Sequence, residues 1–321
     1  MALTKGFITI ATGKEQYYEI ARNLLRSYRF TTKNPLPFTL LCDAKNEYTK
    51  EFDDVRIFDE AKCNYLDKLE MYDYLPYDIN IFIDADCLVY RDINRLFDIF
   101  EKADDFSCFG RVLPLDDKTG WFEYDNLKDD MKPQIDYVVG LHGGIYYMRK
   151  TDLCKKVLDD AKKFAKDYYS YGFKGKFTNP GDEPLIALSM AVNKCKPIKF
   201  DSSAIYCYWE CENRIRLSMK NNMACVIPEN IYTDIVHWGT RFTKTPVYLK
   251  QIAALNLLRE NKTGVLLVLS DIKYDIRTLY NRILNFAKRV INKIKRVLTS
   301  GSGDKGTPII LIQGYFDNYT D

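Results

Sequence analysis

The sequence predicts an α/β protein with a mostly parallel mixed sheet flanked by helices and a helical C-terminal extension. Three observations support that reading. Short apolar runs recur between residues 6 and 84 and alternate with stretches of helical periodicity, the pattern of βαβ units. A length of 321 residues is enough to bury a substantial core. From about residue 246 the strand-like runs give way to helical ones.

Taken in order, GFITIA (6–11) reads as a buried strand. A turn at Gly13 follows, then a helix from Glu15 to about Tyr28 with Ile20, Leu24 and Leu25 on one face. PLPFTLLCD (35–43) and VRIFD (55–59) give a second and third strand, residues 65–75 a helix, and INIFID (79–84) a fourth strand. A helix is expected from about Asn94 to Lys102. The polar stretch 113–136 reads as a long excursion of the kind that faces substrates. GGIYYMRK (143–150) is a strand, followed by a helix from Asp152 to about Tyr169. A glycine-containing loop (171–183) then leads to the helix PLIALSMAV. Short strands are expected at 197–200 and 231–237. Basic residues gather between Arg282 and Arg296, and GSGDKGTP (301–308) has the composition of a flexible linker.

Composition narrows the function. Hydrophobic residues make up 46% and charged residues 28%, ordinary for a soluble globular chain. A net charge of +3 does not suggest a nucleic-acid partner. The nine cysteines include no CxxC pair and no second pair to complete a zinc site with Cys207 and Cys211. This implies free thiols in a reducing compartment. The N-terminal residues lack a secretory pattern and no apolar run approaches a membrane span, so the expected location is cytoplasmic.

The chemistry begins at IFIDADCLVY (81–90), where Asp84 and Asp86 end an apolar run. Burying unpaired carboxylates is costly. In an open parallel sheet, ligands bind beyond the carboxyl ends of the strands. On an extended backbone, alternate residues point to one side, so both carboxylates can reach one divalent cation. Oxygen ligands suit Mg²⁺ or Mn²⁺, held together with substrate phosphates. A solvated strand end is the bland alternative.

Four segments carry a wider resemblance: FITIATGKEQYYEIARNLLRSYR, KLEMYDYLPYDINIFIDADCLVYRDINRLF, GLHGGIYYMRK and HWGTRFTKTPVY, spanning about residues 6 to 248. The chain resembles GT-A-type (Rossmann-like) nucleotide-sugar glycosyltransferases, in particular the family of glycogenin and the bacterial lipopolysaccharide galactosyl- and glucosyltransferases. The resemblance implies a catalytic domain over 1–248, a helical extension over 249–299 and a flexible tail over 300–321. It further implies metal-dependent transfer from a nucleotide sugar, with UDP as the first candidate, to a glycan, lipid-linked or protein acceptor. The resemblance favours retention, while Asp182 or Glu183 could serve as the base of an inverting mechanism instead. Asp84, Asp86 and His237, one of only two histidines, would hold Mn²⁺ or Mg²⁺. Lys68 would contact the donor diphosphate, with Arg241 and Lys244 as rival further cations. Ala11, Thr12, Gly13 and Tyr17 would border the base and ribose, and Ala85 and Gly239 would line the donor site. His142, Gly143 and Gly144 would approach the donor sugar, although the family favours Asn at the position of His142. Asp182 and Glu183 would be the catalytic carboxyls, touching donor or acceptor; the plainer reading makes Asp182 an N-cap and Glu183 a first-turn acid.

Two rival readings fit the sequence less well. A phosphatase of the haloacid-dehalogenase type would want its Asp-x-Asp after the first strand, and nothing acidic lies between Pro184 and Asp201. A non-catalytic carbohydrate-binding or scaffold protein of the same fold is opposed by the set Asp84, Asp86, His237 and Lys68. The stretch 282–298 mixes apolar and basic residues at helical spacing. It suits either a peripheral membrane contact on the inner face or a helix packed on the domain or on a second copy in a homodimer.

Overall fold

The first seven residues of regular structure set the frame. In the computed structural model, which describes residues 3–171, 173, 180–212 and 214–300, with side chains to residue 295, KGFITIA forms β1 (Lys5–Ala11). It lies between β2 (Phe38–Cys42) and β4 (Ile79–Ile83), parallel to both, with β3 (Asp54–Ile57) beyond β2. Beyond β4 come β7 (Val138–Arg149), then β6 (Phe106–Leu113) and β8 (Ile198–Lys199). Only β7 runs against the rest, so the seven strands form the mostly parallel mixed sheet expected from the sequence.

Helices cover both faces. On α1 (Glu15–Thr31), Leu24, Leu25 and Tyr28 are buried against one face, while Ile20 packs into a separate cluster with Leu88, Tyr90 and Trp238. Side chains of this size stabilise by roughly 1.5–3 kcal/mol each when fully buried. The four-residue α2 (Leu96–Ile99) packs on the same side. The other face carries α3 (Asp152–Lys166) and α4 (Asp182–Val192). The cap of α3 is Thr151, whose Oγ1 accepts from the Cys154 N–H at 3.4 Å.

Two smaller sheets complete the scaffold. One is formed by β5 (Cys87–Val89), β9 (Ile205–Cys207) and β13 (Ile235–His237), in the order β5-β13-β9. The other is a meander of β10 (Ile215–Ser218), β11 (Met223–Val226) and β12 (Ile231–Tyr232). A short helix, α5 (Tyr208–Cys211), follows β9 directly. The C-terminal part consists of α6 (Pro246–Arg259), capped by Thr245 with Pro246 in its first turn, and the 36-residue α7 (Val265–Ser300). Among the described residues no helix is long and apolar enough to cross a membrane.

Several local expectations are corrected. Residues 65–74 are a 3₁₀ run rather than an α-helix, and the helix expected over 94–102 reduces to α2. The stretch 113–136 is irregular, as expected of a long excursion, with 3₁₀ turns at Tyr124–Asn126 and Lys132–Gln134, but Phe122, Leu127, Met131 and Ile135 anchor it in the core. β7 begins at Val138 rather than 143, and β5, β6, β9, β10 and β11 were not anticipated. The tail 301–321 and most of the 171–183 loop lie outside the described residues.

Candidate functional site

The strand ends bring the site together. β4 stops at Ile83, and Asp84–Ala85–Asp86 form a tight turn into β5, closed by the Cys87 N–H donating to the Asp84 carbonyl at 3.1 Å. The pair is therefore not on extended backbone, and strand alternation is not what aligns the two carboxylates. Their convergence comes from the small sheet, where β13 pairs with β5 in a register that sets His237 opposite Cys87. The His237 Nε2 then lies 3.1 Å from Asp86 Oδ1 and 3.6 Å from Asp84 Oδ2.

A cation completes the arrangement. Lys68, on the 3₁₀ run, places its Nζ 2.8 Å from Asp84 Oδ1 and 3.1 Å from Asp182 Oδ2. Burial opposes its charge, but Asp182 and Asp84 outweigh that and hold the ammonium above the usual lysine range. Burial also raises Asp84. Asp86 is held below its ordinary value despite burial, by His237 and by the Thr240 hydroxyl donating at 3.0 Å. For His237 burial disfavours the imidazolium, but Asp86 and then Asp84 lift it above the usual histidine value. The question raised by two buried like charges has an answer in the protein itself: one lysine and one histidine face them.

β7 supplies the wall. Its pairing with β6 is irregular beside Cys108 and Gly110, and the stretch 142–145 departs from regular register. Gly143 and Gly144 are required by close approach. A Cβ on Gly143 would come 2.6 Å from the Glu183 side chain, and one on Gly144 would come 2.7 Å from His142 Cε1 and 2.9 Å from His237 Nδ1. The Gly143 N–H donates to Glu183 Oε1 at 2.9 Å, and the Asp84 N–H to the Gly144 carbonyl at 3.0 Å. His142 lies with Nε2 3.1 Å from Cys207 Sγ, while its Nδ1 accepts from the Gly144 N–H at 3.2 Å. Burial, with His237 and Lys68 nearby, pushes His142 down to about 3, so its imidazole is neutral.

Asp182 is not an N-cap. That position belongs to Gly181, and Asp182 opens α4 with its carboxylate turned inward to Lys68 and to the Tyr146 hydroxyl, which donates at 3.1 Å. Glu183 is pushed up to about 7 by burial and then by the charge of Asp182. These two carboxyls, Lys68, Asp84, Asp86, His142, Gly143, Gly144 and His237 form one contiguous group.

The turn after β1 is organised separately. Gly13 has φ +78, a left-handed conformation that suits glycine, and its N–H donates to the Asp43 carboxylate at 3.1 Å. The Thr12 hydroxyl donates to Asp67 at 2.9 Å. Ala11 is buried in the core, and Tyr17 and Ala85 are each partly buried against two of the core clusters. Gly239, at φ +68, lies against the Trp209 ring. Arg241 is exposed over the Phe242 ring and Lys244 is exposed. Among the described residues neither lies within ion-pair distance of Asp84 or Asp86.

Asp43, Asp67, Tyr146, Cys207 and Thr240 were not anticipated. Asp43 had a signal: LLCD ends β2 as IFID ends β4, an apolar run closed by an aspartate at the carboxyl end of a parallel strand. Burial opposes its charge, but the Tyr18 hydroxyl and the Gly13 N–H outweigh it and hold the carboxyl below its ordinary value.

No family model and no curated protein matches the chain. Several solved structures are similar to it. A galactosyltransferase, LgtC, crystallised with donor and acceptor sugar analogues, matches 74% of this chain and 94% of its own at 11% identity and a TM-score of 0.46. Mouse xyloside xylosyltransferase 1 matches 75% and 99% at 12% identity and 0.44. The bifunctional glycosyltransferase WbbM matches 74% and 46% at 11% identity and 0.47. All three are glycosyltransferases.

Proposed function

We propose that the protein is a divalent-cation-dependent glycosyltransferase. It moves a sugar from a nucleotide-diphosphate sugar, UDP-sugar first among the candidates, to a hydroxyl of a glycan, glycolipid or protein acceptor, with retention at the anomeric carbon. The observation that carries the reading is the convergence of Asp84, Asp86 and the His237 Nε2 at the carboxyl end of β4, with Lys68 on the same carboxylate.

The His237 nitrogen lies within reach of each carboxylate, and two carboxylates with one imidazole are donor types that suit Mn²⁺, and with more water ligands Mg²⁺. When bound, the ion would supply positive charge to a diphosphate leaving group. The chain's own residues do the rest. Lys68 is positioned to face charge developing on the phosphates, in a buried setting where such charge is strongly felt. Gly143 and Gly144 let the backbone approach a sugar closely. Asp182 is engaged by Lys68 and Tyr146, which suits orientation of a substrate hydroxyl. Glu183, poised near neutrality, can hold or accept a proton beside it. The exposed apolar residues of α7, among them Ile272, Ile276, Leu279, Ile283 and Phe286, interleave with basic ones. That supports a lipid-linked acceptor met at a membrane surface.

Calorimetric titration with UDP and GDP, with Mn²⁺ and with chelator, tests the reading. Binding that requires the ion is expected; metal-independent binding, or none, would overturn it. Asp86→Asn keeps an oxygen for the Thr240 hydroxyl and should therefore fold, while ion-dependent binding and transfer are lost.

A further inference from the structure

A second set of ligating atoms lies on the far side of His237. β9 pairs with β13 in parallel, and the register sets Cys207 beside His237. Across from them, the irregular part of β7 delivers His142, whose Nε2 is 3.1 Å from Cys207 Sγ. The ligating atoms of His142, Cys207 and His237 lie within 4.8 Å of one another. The His237 Nδ1 is buried with no hydrogen-bond partner, although Nε2 of the same ring serves Asp86. A buried unpaired ring nitrogen is costly, and it asks for a ligand. Gly144 keeps the space between the two imidazoles open, since a Cβ there would lie within 3 Å of both.

We propose that His142, Cys207 and His237 form a second, softer metal site that takes Zn²⁺ or a similar thiolate-preferring ion. The chemistry of the donors separates it from the carboxylate side. Two neutral imidazoles and a thiolate suit zinc, with Zn–S about 2.3 Å and Zn–N about 2.0–2.1 Å. The present N···S separation needs to widen by only a few tenths of an ångström to admit an ion at those lengths. Three protein ligands leave the fourth tetrahedral position to water. Because His237 is shared between the two sides, a soft ion here competes with the oxygen-ligated one. That antagonism rests on the sugar-nucleotide reading, whereas the site itself does not.

The test uses the full chain, stripped of metal, in a Cys63→Ser background so that the one exposed thiol is absent. Titration with Co²⁺ should give a sulfur-to-cobalt charge-transfer band in the near ultraviolet, displaced by Zn²⁺. The band should vanish in Cys207→Ser and in His142→Gln; should either variant fail to fold by circular dichroism, the other decides. A band that survives both substitutions, or that is lost only in Cys87→Ser, would overturn the assignment, as would no band in the parent. Zinc added before UDP should suppress manganese-dependent UDP binding in the parent and spare it in Cys207→Ser. UDP binding unaffected by zinc in the parent would remove the antagonism and leave the site to the cobalt spectra.

Discussion

Glu183 is the residue whose environment is easiest to translate into a measurement. It sits at the start of α4, bonded through Oε1 to the Gly143 N–H, with Asp182, Lys68 and Asp84 as its charged neighbours. Its ordinary value of 4.5 rises to about 7 in the folded protein. The folded state therefore binds the proton more tightly than the unfolded chain. Linkage then makes stability fall as pH rises through that window, the contribution being fully present below about 4.5 and lost above about 7. Glu183→Gln stays neutral throughout and should flatten that slope. Urea unfolding of both proteins below and above the window checks this, and parallel pH profiles would refute it. If Glu183 also handles a proton in transfer, the rate of the parent should show an inflection in the same region that the variant lacks.

At the scale of elements, the junction of α1 with the small sheet carries a definite cost. Ser27, fully buried, donates from Oγ to the Leu24 carbonyl at 2.8 Å and accepts from the Val89 N–H at 2.9 Å. Ser27→Ala leaves that N–H buried and unpaired, so a loss of about 1–3 kcal/mol is expected in denaturant unfolding. The elements also show what could be read in advance. β1, α1, β2, β3 and β4 were legible because each is an apolar run or stripe bounded by a polar turn. β5 was not, since it starts four residues after β4 ends, with no glycine or proline to mark the turn. β6 was hidden by Gly110 and Arg111, which break the alternation where the strand meets the irregular part of β7. Helix length after β5 was overread because Asp92 and Asn94 look like a helix start, and Asp92 does cap the Asn94 N–H, yet only α2 follows. Within the site, Asp84 and Asp86 were legible as a carboxylate pair closing an apolar run, whereas Lys68 and His237 were expected only from the family resemblance. Their geometry was not legible, because a three-residue strand register decides it. Cys207 stood out only for its spacing to Cys211, with no second cysteine pair to complete a zinc site; the residues that approach it, His142 and His237, come from distant strands.

The whole molecule is a mostly parallel mixed sheet flanked by helices, with a long C-terminal helix appended. α7 is anchored near its start, where Leu267 is buried and Lys250 of α6 holds Asp275 at 2.8 Å. From residue 285 to 295 nearly every side chain is exposed. Ending the chain at residue 284 should therefore leave the buried anchor of α7 in place. It removes Lys288, Arg289, Lys293, Lys295 and Arg296 of the basic stretch, each worth about 1 kcal/mol near an anionic surface. Co-sedimentation with anionic vesicles should thus drop sharply while UDP binding persists. Equal sedimentation of both chains would assign the helix to a protein contact instead, and a concentration-dependent mass would point to a second copy.

The pairing of β13 with β5 also bears on how the chain matures. As synthesis proceeds, the Asp84–Asp86 turn leaves the ribosome long before the segment that shields it; Thr240, which binds Asp86, lies 154 positions downstream. Contacts at such separation close late and slowly. Until β13 arrives, Asp84 has Lys68 beside it but Asp86 lacks the imidazole that faces it in the finished fold, so the pair stays only partly compensated. A chain stalled before residue 231 would retain the first four strands yet lack the imidazole that completes the site.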